Sequence, residues 1–140
     1  MKIYVAGPYQ WKDDIAFRAS HLRAAGIEVT SRWLLEKHAG NIQLSQLPED
    51  VNTTYAKQDL DDIDAADAFL LFAVPSEAPP IPRAGRHVEF GYALARGKKM
   101  LVVGDVKENI FHYLPQVRHF QNFEDAMRYF IDHLPEVTGR

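Results

Sequence analysis

The sequence predicts an α/β fold in which a mostly parallel, doubly wound sheet of five strands is covered by helices on both faces. Short apolar segments alternate with amphipathic helical segments along the chain, and residues 68–74 form an apolar run without a polar residue. Alternating strands and helices favour parallel pairing, and such a run is typical of a central strand buried on both faces. Right-handed crossovers leave few topologies, so we predict the strand order 2-1-3-4-5.

Five segments are predicted as strands, and turn or loop signals follow the first and the third of them. The predicted strands cover residues 2–6, 27–34, 68–74, 99–104 and 117–120. Gly7-Pro8 stops the first of them. The polar residues 35–50 are predicted as a long loop, and the four prolines within residues 75–85 indicate an exposed loop after the third strand.

The predicted helices carry apolar residues at helical spacing between start and stop signals. They begin near Asp13, Glu49, Gly85 and Phe123, and they end near Gly26, Ala66, Gly97 and Leu134. Asp13 and Asp14 suit a first helical turn because the helix dipole favours negative charge there.

Length and composition indicate one soluble domain over residues 1–140. Hydrophobic residues make up 46% and charged residues 25% of the chain, as in globular proteins. The net charge of −3 argues against a nucleic-acid polymer as partner, since such proteins normally show a basic face. Residues 1–7 do not show the pattern of a signal peptide, and no apolar run approaches the ~20 residues of a membrane helix, so we expect a cytoplasmic protein without a membrane partner.

The sequence also lacks the patterns that hold common cofactors. It has no cysteine, which excludes disulfides and thiolate nucleophiles. The six histidines show no metal-binding spacing, and neither the P-loop nor the dinucleotide-binding glycine pattern is present. We therefore expect no metal and no cofactor.

The predicted topology places a ligand site before any motif is considered. In the order 2-1-3-4-5, the switch point lies between strands one and three, and ligands bind beyond the carboxyl ends of those strands. This edge contains Gly7, Pro8 and Tyr9, the loop from Pro75, and the start of the helix at Gly85.

A single carboxylate, Glu89, interrupts the apolar stretch from Val88 to Ala95. A capping box is excluded because Arg86 stands where Ser or Thr is needed, and structural pairing of Glu89 with Arg86 remains an alternative. One turn into a helix that faces the predicted crevice, a carboxylate can act as acid, base or covalent nucleophile. The apolar neighbours are expected to pack inward: Val88, Phe90, Tyr92 and Leu94.

Three blocks together resemble the nucleoside 2-deoxyribosyltransferase family, which includes deoxynucleoside 5′-monophosphate N-glycosidases. They are Met1–Pro8 (MKIYVAGP), Tyr55–Ile63 (YAKQDLDDI) and Gly85–Ala95 (GRHVEFGYALA). The blocks occur in the family's order and span most of the chain, and the third is the most specific. The resemblance implies a flavodoxin-like, Rossmann-related fold and an enzyme that cleaves the N-glycosidic bond of a (deoxy)nucleoside or nucleoside 5′-monophosphate.

The resemblance also implies roles for two carboxylates. The family's nucleophile falls on Glu89, which would attack the anomeric carbon, expel the base and hold the sugar covalently until a second base or water takes it. The family's Asp in Asp-Leu-x-x-Ile falls on Asp59, which would protonate the leaving base or orient the sugar. From the residues alone Asp59 is less defined, because an acidic run is usually a solvated face.

The loop before the predicted nucleophile departs from the family. Deoxynucleoside transferases of the family carry a further Asp there, whereas residues 81–86 of this chain hold Arg83 and Arg86 and no carboxylate. Two arginines beside a helix N-terminus suit a phosphate better than a neutral hydroxyl. The loop therefore favours a nucleoside 5′-monophosphate as substrate, with solvated loop charges as the alternative.

The remaining candidates are predicted to bind substrate. Tyr9 is placed to pack on the sugar or bond the nucleophile, and Trp33 to stack on the base, unless either is an ordinary packing aromatic. His87 lies on a different side of the helix from Glu89, so it is predicted to shape the anion site. The candidate substrate-binding residues are Gly7, Pro8, Tyr9, Trp33, Arg83, Gly85, Arg86 and His87.

The expected partners are a small nucleoside or nucleotide, a free base, and further copies of the chain. The family completes its sites with residues of a neighbouring subunit, and the aromatic-rich residues 111–130 agree with a homodimer or higher homo-oligomer. A non-catalytic nucleotide-binding or sensing module on the same fold is the alternative function. A phosphoacceptor receiver domain is set aside, because Gly7-Pro8 and Val74-Pro75 stand where it needs acidic residues.

Overall fold

The computed structural model of the chain describes residues 1–36, 47–75, 78 and 84–133. Within these residues five strands form one sheet in the order β2-β1-β3-β4-β5, and every strand pair is parallel. The strands are β1 (Lys2–Ala6), β2 (Glu28–Val29), β3 (Ala68–Phe72), β4 (Lys99–Val103) and β5 (Val117–Phe120). The predicted α/β class and strand order are confirmed.

The helices lie between the strands, as the alternating pattern predicts. They are α1 (Lys12–Ala24), α2 (Glu49–Ala65), α3 (Gly85–Ala95) and α4 (Phe123–His133). Helices α1, α3 and α4 each bury side chains at helical spacing, such as Ile15, Ala19 and Leu22 of α1. Every residue of β3 is buried, in keeping with an apolar strand covered on both faces. No described helix is both long enough and apolar enough to cross a membrane.

The predicted second strand, residues 27–34, is wrong beyond Val29. Two side chains take the place of the strand ladder beside β1: the Ser31 hydroxyl accepts from Val5 N at 2.7 Å, and the Trp33 indole donates to Val5 O at 2.8 Å. Because these bonds satisfy the backbone of Val5, the chain leaves the sheet and forms a 3-10 turn at Arg32–Leu35.

The carboxyl ends of β1 and β3 lie side by side, since Ala6 pairs with Leu71 in the sheet. The chain leaves β1 through Gly7, where a Cβ would lie 2.5 Å from Ile15 Cδ1 of α1. The small residue lets the backbone pass close to α1 at this edge. α3 begins at Gly85 after β3, so its first turn reaches the same edge.

One packing expectation for α3 is wrong. Val88 is 70% exposed, whereas Phe90 and Ala93 of the same helix are buried. Because a helix turns by about 100° per residue, Val88 lies almost opposite Phe90 and cannot share its inward face.

Candidate active site

A cavity of about 560 Å³ lies at the edge of the sheet where the topology predicts a ligand. This volume lies within the range of small-molecule sites. It is lined by Gly7, Tyr9, Trp33, Glu36, Leu47, Asn52, Tyr55, Ala56, Asp59, Ala84, Gly85, Arg86 and Glu89. The wall therefore combines residues that follow β1, β2 and β3 with one face of α2.

The structure brings most of the candidate residues to this cavity. Both candidate catalytic carboxylates, Glu89 and Asp59, lie in its wall together with Gly7, Tyr9, Trp33, Gly85 and Arg86. Pro8 and His87 are not in the wall: Pro8 is buried beside it, and His87 points toward the segment after β4. Arg83 lies outside the described residues.

Glu89 is held by contacts from two other elements. The hydroxyl of Tyr4, a fully buried residue of β1, donates to Glu89 Oε2 at 3.0 Å. Burial raises the pKa of Glu89 well above its usual range, and the negative charge of Asp59 and a hydrogen bond between the two carboxyl groups raise it further. The Tyr4 hydrogen bond opposes this shift. Glu89 is thus the more basic member of a coupled carboxyl pair that faces the cavity.

Asp59 differs in its surroundings from the other members of the acidic run, which comprises Asp59, Asp61, Asp62, Asp64 and Asp67. Burial raises its pKa to about 6, and the hydrogen bond with Glu89 limits that rise. Its Oδ1 is buried and has no hydrogen-bond partner among the described residues. In contrast, Asp62 is committed to Arg32, since its two oxygens accept from Arg32 Nε at 2.8 Å and Arg32 N at 2.9 Å. Asp59 alone of the run lines the cavity.

Arg86 lies in the cavity wall, but its charge is already partnered. Its Nη2 bonds Glu108 Oε1 at 3.0 Å, and the two side chains are only 7% and 10% exposed. Nε and Nη1 of Arg86 are buried without a hydrogen-bond partner among the described residues. The guanidinium therefore retains free donors, while Glu108 compensates its charge and weakens its attraction for a phosphate.

His87 supports this ion pair. Its Nε2 lies 3.6 Å from Glu108 Oε1, and its Nδ1 lies 3.2 Å from Asn109 Nδ2. Burial acts to raise the pKa of Glu108, but hydrogen bonds with His87 and Arg86 outweigh it, so the pKa of Glu108 is lowered. The predicted role of His87 in shaping an anion site stays a prediction, and its contact is with Glu108.

Part of the cavity wall is aromatic. The rings of Tyr9 and Trp33 lie 6.2 Å apart, and the ammonium of Lys12 lies 5.3 Å from the centre of the Tyr9 ring. Trp33 is 6% exposed, and its indole N–H donates to Val5 O. This residue therefore packs in the core and also lines the cavity. A planar base can stack against such a wall.

The sequence model of the nucleoside 2-deoxyribosyltransferase family matches residues 3–127, most of the chain. The chain belongs to this family. The resemblance inferred from the three blocks is thereby confirmed, and so is the expectation of an enzyme. No curated protein sequence matches the chain significantly.

Solved structures show the same fold. A 2-deoxyribosyltransferase from Bacillus psychrosaccharolyticus superposes with a TM-score of 0.71 at 20% identity, covering 96% of each chain. A CMP N-glycosidase from Clostridium botulinum gives 0.55 at 22% identity, over 93% of this chain and 98% of its own. A conserved protein from Enterococcus faecalis V583 gives 0.62 at 17% identity, over 96% and 99%. At such identities the likeness concerns the fold.

Several cavity residues of this deoxyribosyltransferase-family member were not predicted as site residues from the sequence. Asn52, Tyr55 and Ala56 precede Asp59 on one face of α2 at helical spacing, a periodicity that points to them. Tyr4 lies inside an apolar strand, and its hydroxyl is the only sign that it needs a polar partner. Glu36 follows a 3-10 turn and shows no pattern at all. Within the described ranges, no cluster of His, Asp and Glu could hold a metal ion.

Proposed function

We propose that this chain cleaves the N-glycosidic bond of a (deoxy)nucleoside or nucleoside 5′-monophosphate through attack of Glu89 on the anomeric carbon. The observation that carries the proposal is the half-buried Glu89 carboxyl in the cavity wall, held by Tyr4 and paired with Asp59. A carboxylate held in place and partly shielded from water is a suitable nucleophile toward a sugar carbon. Membership of the family supports the same reaction.

The pair of carboxyl groups provides the ionisation state that this attack needs. Like charges at close range cannot both ionise easily, so the pair retains one proton near neutral pH. In the free pair the proton lies on Glu89, the more basic group. Passing this proton to Asp59 gives the Glu89 anion, which the Tyr4 hydroxyl stabilises by donating to Oε2. A Glu89 oxygen then bonds to C1′ while the electron pair of the C1′–N bond leaves with the base.

The second half of the reaction releases the sugar from Glu89. Water or a second base attacks C1′, and the ester bond to Glu89 breaks with its electron pair returning to the carboxylate. Water gives hydrolysis, and a base gives transfer. Asp59 Oδ1, which has no hydrogen-bond partner among the described residues, can accept a hydrogen bond from a sugar hydroxyl. This suits a residue that orients the sugar beside the nucleophile.

A surface beside the cavity supports assembly of further copies. Val88 on α3 and three residues of a 3-10 turn after β4, Ile110, Phe111 and Tyr113, are 70, 76, 55 and 69% exposed. Large apolar side chains gathered on a surface often mark an interface. We propose that a second copy covers them, next to the site.

The proposed intermediate is testable by trapping. The protein is incubated with the four 2′-deoxynucleosides and their 5′-monophosphates, and free base is measured. The best substrate is then replaced by its 2′-fluoro analogue, since fluorine destabilises an oxocarbenium-like transition state and slows release of the sugar. We expect a mass increase equal to one fluorinated sugar, located by peptide mapping on Glu89.

The matched control for trapping is Glu124→Gln, which changes an exposed glutamate on α4 and should be trapped like the wild type. A label on a peptide that lacks Glu89 contradicts the proposed mechanism. So does release of the base without an adduct when the sugar product has inverted configuration at C1′. Tight nucleotide binding without any base release favours the non-catalytic binding module instead.

Removing the Tyr4 hydroxyl is expected to shift the pH dependence of activity. Tyr4→Phe deletes a hydrogen bond that lowers the pKa of Glu89, so that pKa rises further. Because Glu89 attacks as a carboxylate, the acid limb of kcat/KM moves to higher pH. A hydrogen bond to a charged group is worth about 1.5–3 kcal/mol and one pKa unit about 1.4 kcal/mol, so we expect a shift of about one pH unit.

Tyr92→Phe is the control for this shift. It removes the hydroxyl that bonds Asp64 Oδ2 at 2.8 Å on the surface, so the acid limb should stay in place. An acid limb that is unchanged or moves to lower pH in Tyr4→Phe shows that Tyr4 does not support the anion of Glu89.

A further inference from the structure

A third carboxyl residue, Glu36, lines the same cavity as Glu89 and Asp59. Glu36 follows β2 and its 3-10 turn, whereas Glu89 lies on α3, which follows β3. In the sheet β1 separates β2 from β3. Neighbouring strands lie about 4.8 Å apart, so the two residues approach the cavity from strands about 10 Å apart. Glu36 and Glu89 therefore enter the cavity wall from different elements.

Glu36 belongs to the aromatic part of the cavity wall. Its backbone N donates to Trp33 O at 3.1 Å, and its backbone O accepts from the ammonium of Lys12. The same ammonium lies above the ring of Tyr9. The backbone of Glu36 is thereby held next to the two rings on which a base would stack, whereas Asp59 contacts Glu89.

The chemistry of N-glycosides requires an acid beside the base. The lone pair of the glycosidic nitrogen is delocalised into the base, so the proton that assists departure goes to another ring nitrogen or to a carbonyl oxygen. Those atoms belong to the base and not to the sugar. An acid beside the rings on which the base stacks is therefore placed to donate this proton.

We infer that Glu36 is the general acid that protonates the leaving base, an assignment that rests on the proposed function and deepens it. As Glu89 bonds to C1′, the electron pair of the C1′–N bond enters the base ring, and the Glu36 proton neutralises the base. Glu36 is left as a carboxylate. In the second half it takes the proton from the attacking water or from the N–H of the incoming base, as one residue serves both steps in retaining glycosidases.

The surroundings of Glu36 stabilise its protonated form, so that a substantial fraction of it carries the proton near neutral pH. Burial raises its pKa to about 7, the charge of Asp59 raises it as well, and Lys12 opposes the shift. Tyr55 of α2 and Glu89 of α3 also face the cavity. Since the acid form is the active one, activity should fall as the pH rises through about 7.

The test compares the wild type with Glu36→Gln, which keeps the shape of the side chain but cannot donate this proton. Both proteins are assayed from pH 5 to 9 on the best substrate of the wild type and on halogenated analogues of the same base, which leave more readily. We expect about a 100-fold loss of kcat/KM on the parent base and less than about a 10-fold loss on the halogenated one. The alkaline fall in activity should disappear in the variant.

Glu28→Gln, at an exposed position of β2, is the matched control and should behave like the wild type. Equal losses on all bases with an unchanged pH profile overturn the assignment and leave Glu36 a structural role. Full activity of Glu36→Gln on the parent base overturns it too. If the wild type itself releases no base from any substrate, the proposed function fails, and the assignment of Glu36 fails with it.

Discussion

Glu89→Ala is expected to lower base release by about 1000-fold or more, because the variant has no group to form the bond to C1′. The fold should survive the change. Burial and the charge of Asp59 both oppose ionisation of Glu89, so removing its carboxyl relieves a destabilising contact. We therefore expect a melting temperature equal to or above that of the wild type, measured together with base release by chromatography.

Chemical rescue separates a nucleophile from a structural residue in this experiment. The side chain lost in Glu89→Ala leaves space beside C1′, and an added anion such as azide can attack from that space. We expect azide to restore base release and to yield a glycosyl azide of inverted configuration. More than about a tenth of the wild-type activity without azide contradicts nucleophilic attack by Glu89.

The prominence of Glu89 in the sequence has a physical cause. A carboxylate inside an apolar helix is costly to bury, so the residues alone indicate a function there. The strand order follows equally directly, because alternating strands and helices with right-handed crossovers permit few sheets. These features depend on local pattern, and the structure confirms the fold while bringing Glu89 to the predicted edge.

Features that depend on contacts between residues far apart in the chain could not be predicted from the local sequence pattern. The second strand ends early because Ser31 and Trp33 bond the backbone of Val5, 26 and 28 positions away in the chain. The sequence alone suggests that Arg86 is a free cation, but in the fold it bonds Glu108, 22 positions later in the chain. Local pattern shows which side chains exist, and only tertiary contact shows which charges remain uncompensated.

Glu108→Ala is expected to destabilise the fold by about 3–5 kcal/mol, because it leaves the buried guanidinium of Arg86 without a counter-charge. The free energy of unfolding is measured with urea near neutral pH. The effect should shrink in acid: the pKa of Glu108 is lowered in the fold, so its contribution is present above the unfolded pKa and is lost as the pH falls through the folded value.

A double-mutant cycle attributes this loss to the ion pair. Arg86→Met with Glu108→Leu replaces both charges by apolar groups, so the double variant should be much more stable than the sum of the single changes predicts. Asp64→Ala is the matched control, since it breaks an exposed pair with Arg96 at 3.5 Å and should cost less than about 1 kcal/mol. If Glu108→Ala costs no more than this control, the charge of Arg86 is compensated elsewhere. Its free donors would then be available to an anionic substrate one turn before Glu89.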